Sequence, residues 1–210
     1  AALADNEALM TRLFQYRFAS GEDLGGHSFG NLFITAMAGV TGAFESALEA
    51  SSRVLAVQGR VLPCTLQAVT LCADVEKNGA SAVRVCGESE IPEAGGGILR
   101  ALLEPESPKA YPEVIRAILD AELVVIGPGS LYTSIVPNLL VPEIAEALRA
   151  ARAPKVYVCN VATQVGETEA YTANDHFQAL VRHFGHDVIS AVIVNTHIPA
   201  VTLPPNVEWV

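Results

Sequence analysis

Glu122-Leu-Val-Val-Ile-Gly-Pro-Gly-Ser-Leu-Tyr-Thr-Ser134 decides how the rest of this chain is read. Leu123 to Ile126 is an apolar run of strand length. Gly127-Pro128-Gly129 breaks it, and Ser130, Thr133 and Ser134 follow where a helix should begin. Glycine lets backbone approach a ligand closely, and a helix start offers unpaired N–H groups carrying partial positive charge. Together they make a seat for a phosphate or carboxylate. The same sequence also serves an ordinary strand-to-helix turn that needs glycine for sterics alone, and the loop by itself leaves both readings open.

The rhythm of strand, loop and helix continues on both sides of this run. A helix is expected at about 112–120 and a strand at 122–126. A helix at 142–151 opens on Pro142 and Glu143, a favourable first turn. Strand 155–159 follows. Thr172 and Asp175 then read as a capping box for a helix whose apolar stripe is Phe177, Leu180, Val181 and Phe184 and which Gly185 ends. A strand is expected at 189–194, and Val207 to Val210 starts another. Continuous apolar strands alternating with helices indicate an α/β fold with a mainly parallel sheet.

Upstream the texture differs. A helix is expected over 5–17, capped by Asp5 or Asn6. A glycine-rich loop follows from Gly21 to Gly30, then a small-residue helix from about Asn31 to Ala38. Thr41 is placed to cap a further helix reaching about Arg53. Between residues 54 and 104, short apolar runs at Val54–Val57, Ala68–Cys72, Ala82–Cys86 and Ile98–Leu103 are separated by turn signals. These lie at Gly59, Asn78-Gly79 and Gly95-Gly96-Gly97. They predict a small antiparallel β excursion from the main sheet.

Bulk composition excludes several function classes. Half the residues are hydrophobic and 17% are charged, so the chain is globular and not disordered. The apolar stretches are strand-sized or interrupted, which predicts no membrane-spanning helix, and no signal-peptide pattern is visible. The formal net charge is −10 with no basic cluster. Neither nucleic acid nor an anionic membrane is therefore an expected partner. Cys64, Cys72, Cys86 and Cys159 form no Cys-x-x-Cys pair, and three of them lie in apolar runs. They read as small hydrophobes in a reducing cytoplasm, with no disulfide framework and no metal site.

Parallel α/β sheets place ligands at the carboxyl ends of their strands. Three expected strands end in polar or glycine-rich loops: Gly127 to Ser130, Asn160 with Thr163 and Gln164, and Asn195 with Thr196. Asn160 and Asn195 carry a donor and an acceptor each, suited to a uracil, guanine or sugar edge, although asparagine also caps turns locally, as Asn138 could. Gly25 to Asn31 is a second glycine-rich loop before a helix, but it lacks the spacing and lysine of a Walker sequence. His176 and His183 are two turns apart on one helix, too far for an i, i+4 chelate. His176 falls in the first turn, where it either meets a ligand or is solvated. Glu88, Glu90 and Glu93 read as a solvated face. Glu167 and Glu169, in the loop before Tyr171, are the better catalytic candidates, and no catalytic residue is assigned.

One series of motifs goes further. Gly26-His-Ser-Phe-Gly-Asn-Leu32, Arg53 to Pro63, Gly127 to Ser134, Pro137-Asn-Leu-Leu-Val-Pro142, Val158-Cys-Asn160, Thr163-Gln-Val-Gly-Glu-Thr168, Tyr171 and Asp175-His176 follow one another in order. The series closely resembles the bacterial gluconeogenesis-factor family, related to 2-phospho-L-lactate transferase and sharing its CofD-like fold. The resemblance covers nearly the whole chain. It implies one Rossmann-like three-layer α/β/α domain over 1–210, cytoplasmic and homodimeric, with the antiparallel excursion at 54–104. It implies a regulator of carbon metabolism and cell shape that binds a UDP-sugar such as UDP-N-acetylglucosamine, with no other cofactor. By that match Gly127, Gly129, Ser130, Thr133 and Ser134 take the pyrophosphate. His27, Asn31, Asn160, Thr163, Tyr171 and Asn195 line the nucleotide or sugar. The alternative the family implies is a transferase moving a phosphate-linked group from a nucleotide donor. Family members also begin with a strand and a Gly-Gly-Gly-Thr-Gly loop, followed by an Asp- and Gly-rich stretch, before the segment matching Ala1 to Asp5, and they continue past Trp209. By that resemblance this chain lacks both parts, either as a fragment or because its flanking residues lie outside this sequence.

Overall fold

The computed structural model describes residues 7–19, 24–55, 59–77, 79, 81–185, 188–195 and 208–209. The chain divides into two compact units, one up to Leu66 and one from Gln67 onward. Asp5, Asn6, Asn78, Thr196, Val207 and Val210, named in the sequence analysis above, lie outside the described residues.

The first unit is helical: α1 (Glu7–Gln15), α2 (Phe29–Thr41) and α3 (Phe44–Val54). The Ser28 side chain caps α2 by accepting the Asn31 N–H, and the ring of Phe14 meets Phe29 and Phe33 edge-on. Two expectations are corrected here. Thr41 does not start α3: it closes α2, and its hydroxyl donates to Met37 O at 2.8 Å in the i−4 manner of a helical threonine. Gly42, at φ +80°, then turns the chain, and Ala43 occupies the N-cap with no side-chain bond. Val54, expected to open a strand, is the last residue of α3. Ala47 and Ser51 are the buried residues among those described in this unit.

The second unit carries two sheets. The antiparallel one has the order β2-β1-β3, from β1 (Thr70–Glu76), β2 (Val83–Cys86) and β3 (Gly97–Glu104). The short helix α4 (Glu90–Ala94) lies between β2 and β3, and Glu88, Glu90 and Glu93 are exposed as read. The hairpin register sets Cys72 directly opposite Cys86, and their sulfurs are joined. This corrects the expectation of four free thiols, because strand pairing brings together cysteines that no local motif connects. Cys64 and Cys159 take no part in a disulfide.

The other sheet is parallel. After α5 (Pro112–Leu119) comes β4 (Val124–Ile126), a π-helical turn (Leu131–Ile135), α6 (Val136–Leu139) and α7 (Pro142–Ala150). β5 (Lys155–Val158), α8 (Ala173–Phe184), β6 (Ala191–Ile193) and β7 (Glu208–Trp209) complete the order β4-β5-β6-β7. Thr172 and Asp175 form the expected capping box on α8. Leu131, Tyr132, Val136, Val141, Tyr157, Phe177, Leu180 and Val192 are fully buried. The strand-alternating burial of β5 and the single buried stripe of α8 follow from the apolar periods in the sequence. The fold is α/β, with a parallel sheet that puts the carboxyl ends of β4, β5 and β6 side by side.

Candidate functional site at the ends of the parallel strands

The loop after β4 is shaped by its own neighbours. Gly127 has φ +88°, and a Cβ there would stand 3.0 Å from Val158 O and 3.2 Å from the Ile135 side chain. At Gly129 a Cβ would meet the Ser134 Cβ at 3.3 Å. Gly127 is thus held by its backbone conformation and by close packing of the chain itself, while Gly129 packs tightly against Ser134. From Ser130 the backbone enters a π turn, in which both Ser134 N–H and Ile135 N–H point to Ser130 O, at 2.9 and 3.0 Å. Such turns recur at functional sites. Ser130 is half-buried and Ser134 exposed. Asn138 donates to Ser134 O, the local capping role weighed for it above.

The start of this helical segment already holds an anion. Glu167, only 3% exposed, accepts the Tyr132 N–H at 3.1 Å, the Thr133 hydroxyl at 2.8 Å and the Gln164 side-chain amide at 3.0 Å. Three donors on one carboxylate are charge-assisted bonds, and a first-turn N–H is where an anion belongs. Thr133, expected to meet a ligand phosphate, is committed to Glu167. Glu169, the other acidic candidate, is exposed. Nothing in the sequence near Glu167 announces a partner thirty-five residues earlier.

The loop carrying Glu167 is itself fixed. Thr168 Oγ1 accepts the Gln164 N–H, Thr168 N–H returns a bond to Gln164 O, and Tyr171 N–H reaches Thr168 O. Gly166 has φ +78°, and a Cβ there would lie 2.2 Å from Pro92 O in α4. Only glycine permits that approach.

Beside this loop, past the end of β5, lies a cavity of about 110 Å³. Asn160, Thr163 and Tyr171 line it, all three expected at a ligand, together with His176 and the aliphatic Val161, Ala162 and Ala173. His176 is 2% exposed. Its Nδ1 lies 2.9 Å from Thr172 O, and since a carbonyl only accepts, Nδ1 carries the proton. In the neutral ring Nε2 is then an acceptor, and it has no hydrogen-bond partner. Asn160 Oδ1 is likewise buried and unpaired. Unpaired buried polar atoms are uncommon and call for an explanation such as a ligand or ordered water. The Tyr171 ring meets the His176 ring edge-on at 5.4 Å, and its hydroxyl shares a 2.9 Å bond with the Tyr132 hydroxyl. Burial first, and then that bond, push the Tyr132 phenol well above its usual range.

The remaining expected residues are placed as follows. Asn195, half-buried, lies two residues past β6, on the same edge of the sheet. His27 and Asn31 belong to the first unit and are exposed; Asn31 uses its backbone N–H in the α2 cap. His183 is occupied structurally, with Nδ1 at 2.6 Å from Ala179 O and Nε2 accepting the Ala101 N–H at 3.0 Å. Thus the second unit brings Asn160, Thr163 and Tyr171 together, and adds His176, which the sequence left between a ligand role and a solvated one.

Comparison with known proteins places the chain. Residues 1–207 match the family described as 2-phospho-L-lactate transferase CofD. The chain belongs to this CofD family. Among its relatives is the gluconeogenesis factor of Bacillus subtilis, 51% identical over 93% of this chain and 61% of that protein. The gluconeogenesis factor of Halalkalibacterium halodurans is 46% identical over 92% of this chain and 59% of that protein. A crystal structure of a UPF0052-family protein from Bacillus halodurans superposes with a TM-score of 0.81, at 47% identity, covering 92% of this chain and 61% of that one. The chain therefore spans about three fifths of the length of these CofD-family relatives. Among the described residues, no helix is long and apolar enough to cross a membrane.

Proposed function

We propose that this chain forms the ligand-binding part of a gluconeogenesis factor, and that its ligand is a nucleotide sugar, UDP-N-acetylglucosamine. The reading makes it a cytoplasmic, homodimeric regulator of carbon metabolism and cell shape that returns its ligand unchanged. Its relatives' names support the first half. The cavity past β5 supports the second: three residues expected at the nucleotide or sugar line it, and two unpaired buried acceptors, one on Asn160 and one on His176, face no partner there. The pyrophosphate would lie along Gly127 to Ser134, outside the position that Glu167 fills.

Titrating UDP-N-acetylglucosamine into the folded chain by calorimetry tests this. Saturable one-site binding is expected, with the nucleotide sugar recovered intact by chromatography. Absence of heat from a folded chain would overturn the ligand. Cleavage or transfer of the nucleotide during incubation would instead favour the transferase reading, which rests on the family's description.

A further inference from the structure

Two acceptors without donors give the cavity past β5 a definite chemical preference. His176 Nε2 and Asn160 Oδ1 are both buried and unpaired, and both line the same space. Two lone pairs repel a phosphate or carboxylate oxygen, and they gain a bond only from an N–H or O–H. The histidine cannot turn to relieve the shortage, because its Nδ1–H is held by Thr172 O in the first turn of a capped helix. The aromatic ring of Tyr171 and the small aliphatic side chains that also line a space of about 110 Å³ favour a flat group over a branched one.

From this we infer that the cavity is a subsite for a planar, uncharged amide-type group that donates its N–H to His176 Nε2, with Asn160 Oδ1 as a second acceptor lining the same space, and that His176 is its specificity-determining residue. The inference rests on the nucleotide-sugar reading for the identity of the ligand but not for the chemistry of the cavity. A nucleotide sugar contains two groups of this class, the imide N–H of uracil and the amide N–H of an N-acetyl sugar. The anionic end of such a ligand is excluded from this space and directed toward the loop after β4.

The test uses the full chain labelled with ¹⁵N-histidine, following the Nε2 resonance of His176. Acetamide, which has N–H donors, should shift it; N,N-dimethylacetamide, which has the same carbonyl and no N–H, should leave it in place. No shift with acetamide, or equal shifts with both, overturns the inference. His176→Asn keeps a donor for Thr172 O and removes the Nε2 acceptor, whereas His176→Gln keeps an acceptor near the Nε2 position. UDP-N-acetylglucosamine affinity should fall about tenfold in the first, the size of one hydrogen bond, and recover in part in the second. Unchanged affinity in a folded His176→Asn protein also overturns it. If the loss appears with UDP alone, the donor is uracil; if only with the N-acetyl sugar and not with UDP-glucose, it is the acetamido group. Should the wild-type chain bind no UDP-N-acetylglucosamine, the proposed ligand falls, and the acetamide comparison still decides the subsite.

Discussion

Glu167 shows how one side chain changes the meaning of a motif. A glycine loop before a helix reads as an empty seat for an anion, yet the carboxylate of Glu167 satisfies the Tyr132 N–H and the Thr133 hydroxyl. Glu167→Ala should therefore destabilise the fold by about 2–3 kcal/mol, since buried donors lose a charged acceptor; urea unfolding would measure it, and an unchanged midpoint would deny the carboxylate that role. Gly166 and Gly185 separate two effects that glycines usually mix. Both have positive φ, but a Cβ meets Pro92 backbone only at Gly166, while Gly185 faces open space. Gly185→Ala should cost about 1 kcal/mol for its backbone conformation alone, and Gly166→Ala clearly more, because it must also displace α4. Equal losses in thermal unfolding would contradict this. For the same reason Gly129→Val is no clean test of ligand approach: its side chain would press on Ser134 and Ile135.

At the scale of elements, α8 ties the two sheets of the second unit together through His183, whose Nε2 accepts the Ala101 N–H of β3. Burial holds the His183 imidazole below its ordinary value. A histidine with a depressed folded pKa contributes stability that is complete above its unfolded pKa of about 6.5 and declines as pH falls below it, because the unfolded chain then takes up the proton more readily. Unfolding midpoints should drop between pH 7.5 and 5.5, with a smaller drop in His183→Phe against that variant's own lower baseline. Equal slopes would place the sensitivity elsewhere. Elements with a strong local signature were legible in sequence: the capping box of α8, Pro142 at the start of α7, and the apolar run of β4. What was not legible depended on tertiary partners. Thr41 looks like a cap in isolation, but its hydroxyl turned back to Met37. Asn160, Thr163 and Tyr171 could be named from the resemblance, whereas the unpaired nitrogen of His176 emerges only when the segment after β5 and the start of α8 line one cavity.

Over the whole molecule, the burial of apolar surface is uneven. Among the described residues up to Leu66 only Ala47 and Ser51 are buried, while the unit from Gln67 holds the fully buried Tyr157, Phe177, Leu180 and Val192. Burial of apolar area is what offsets chain entropy, so a unit whose described apolar side chains are mostly only half-buried or exposed has less to stand on. A fragment of residues 67–210 should unfold cooperatively, and a fragment of residues 1–66 should show weak helical dichroism with no transition. A cooperative transition in the shorter fragment would refute that division of stability.

The bond between Cys72 and Cys86 has a bench consequence. A thiol reagent added to the denatured, unreduced protein should count two reactive groups, Cys64 and Cys159, instead of the four in the sequence. In the native protein even those two should label slowly, because burial raises both thiols and keeps the thiolate scarce. A preparation made with strong reductant and one made without it would then differ by two hydrogens in mass and by a covalent loop in the antiparallel sheet. Samples of the two kinds should not be pooled when ligand affinity is compared.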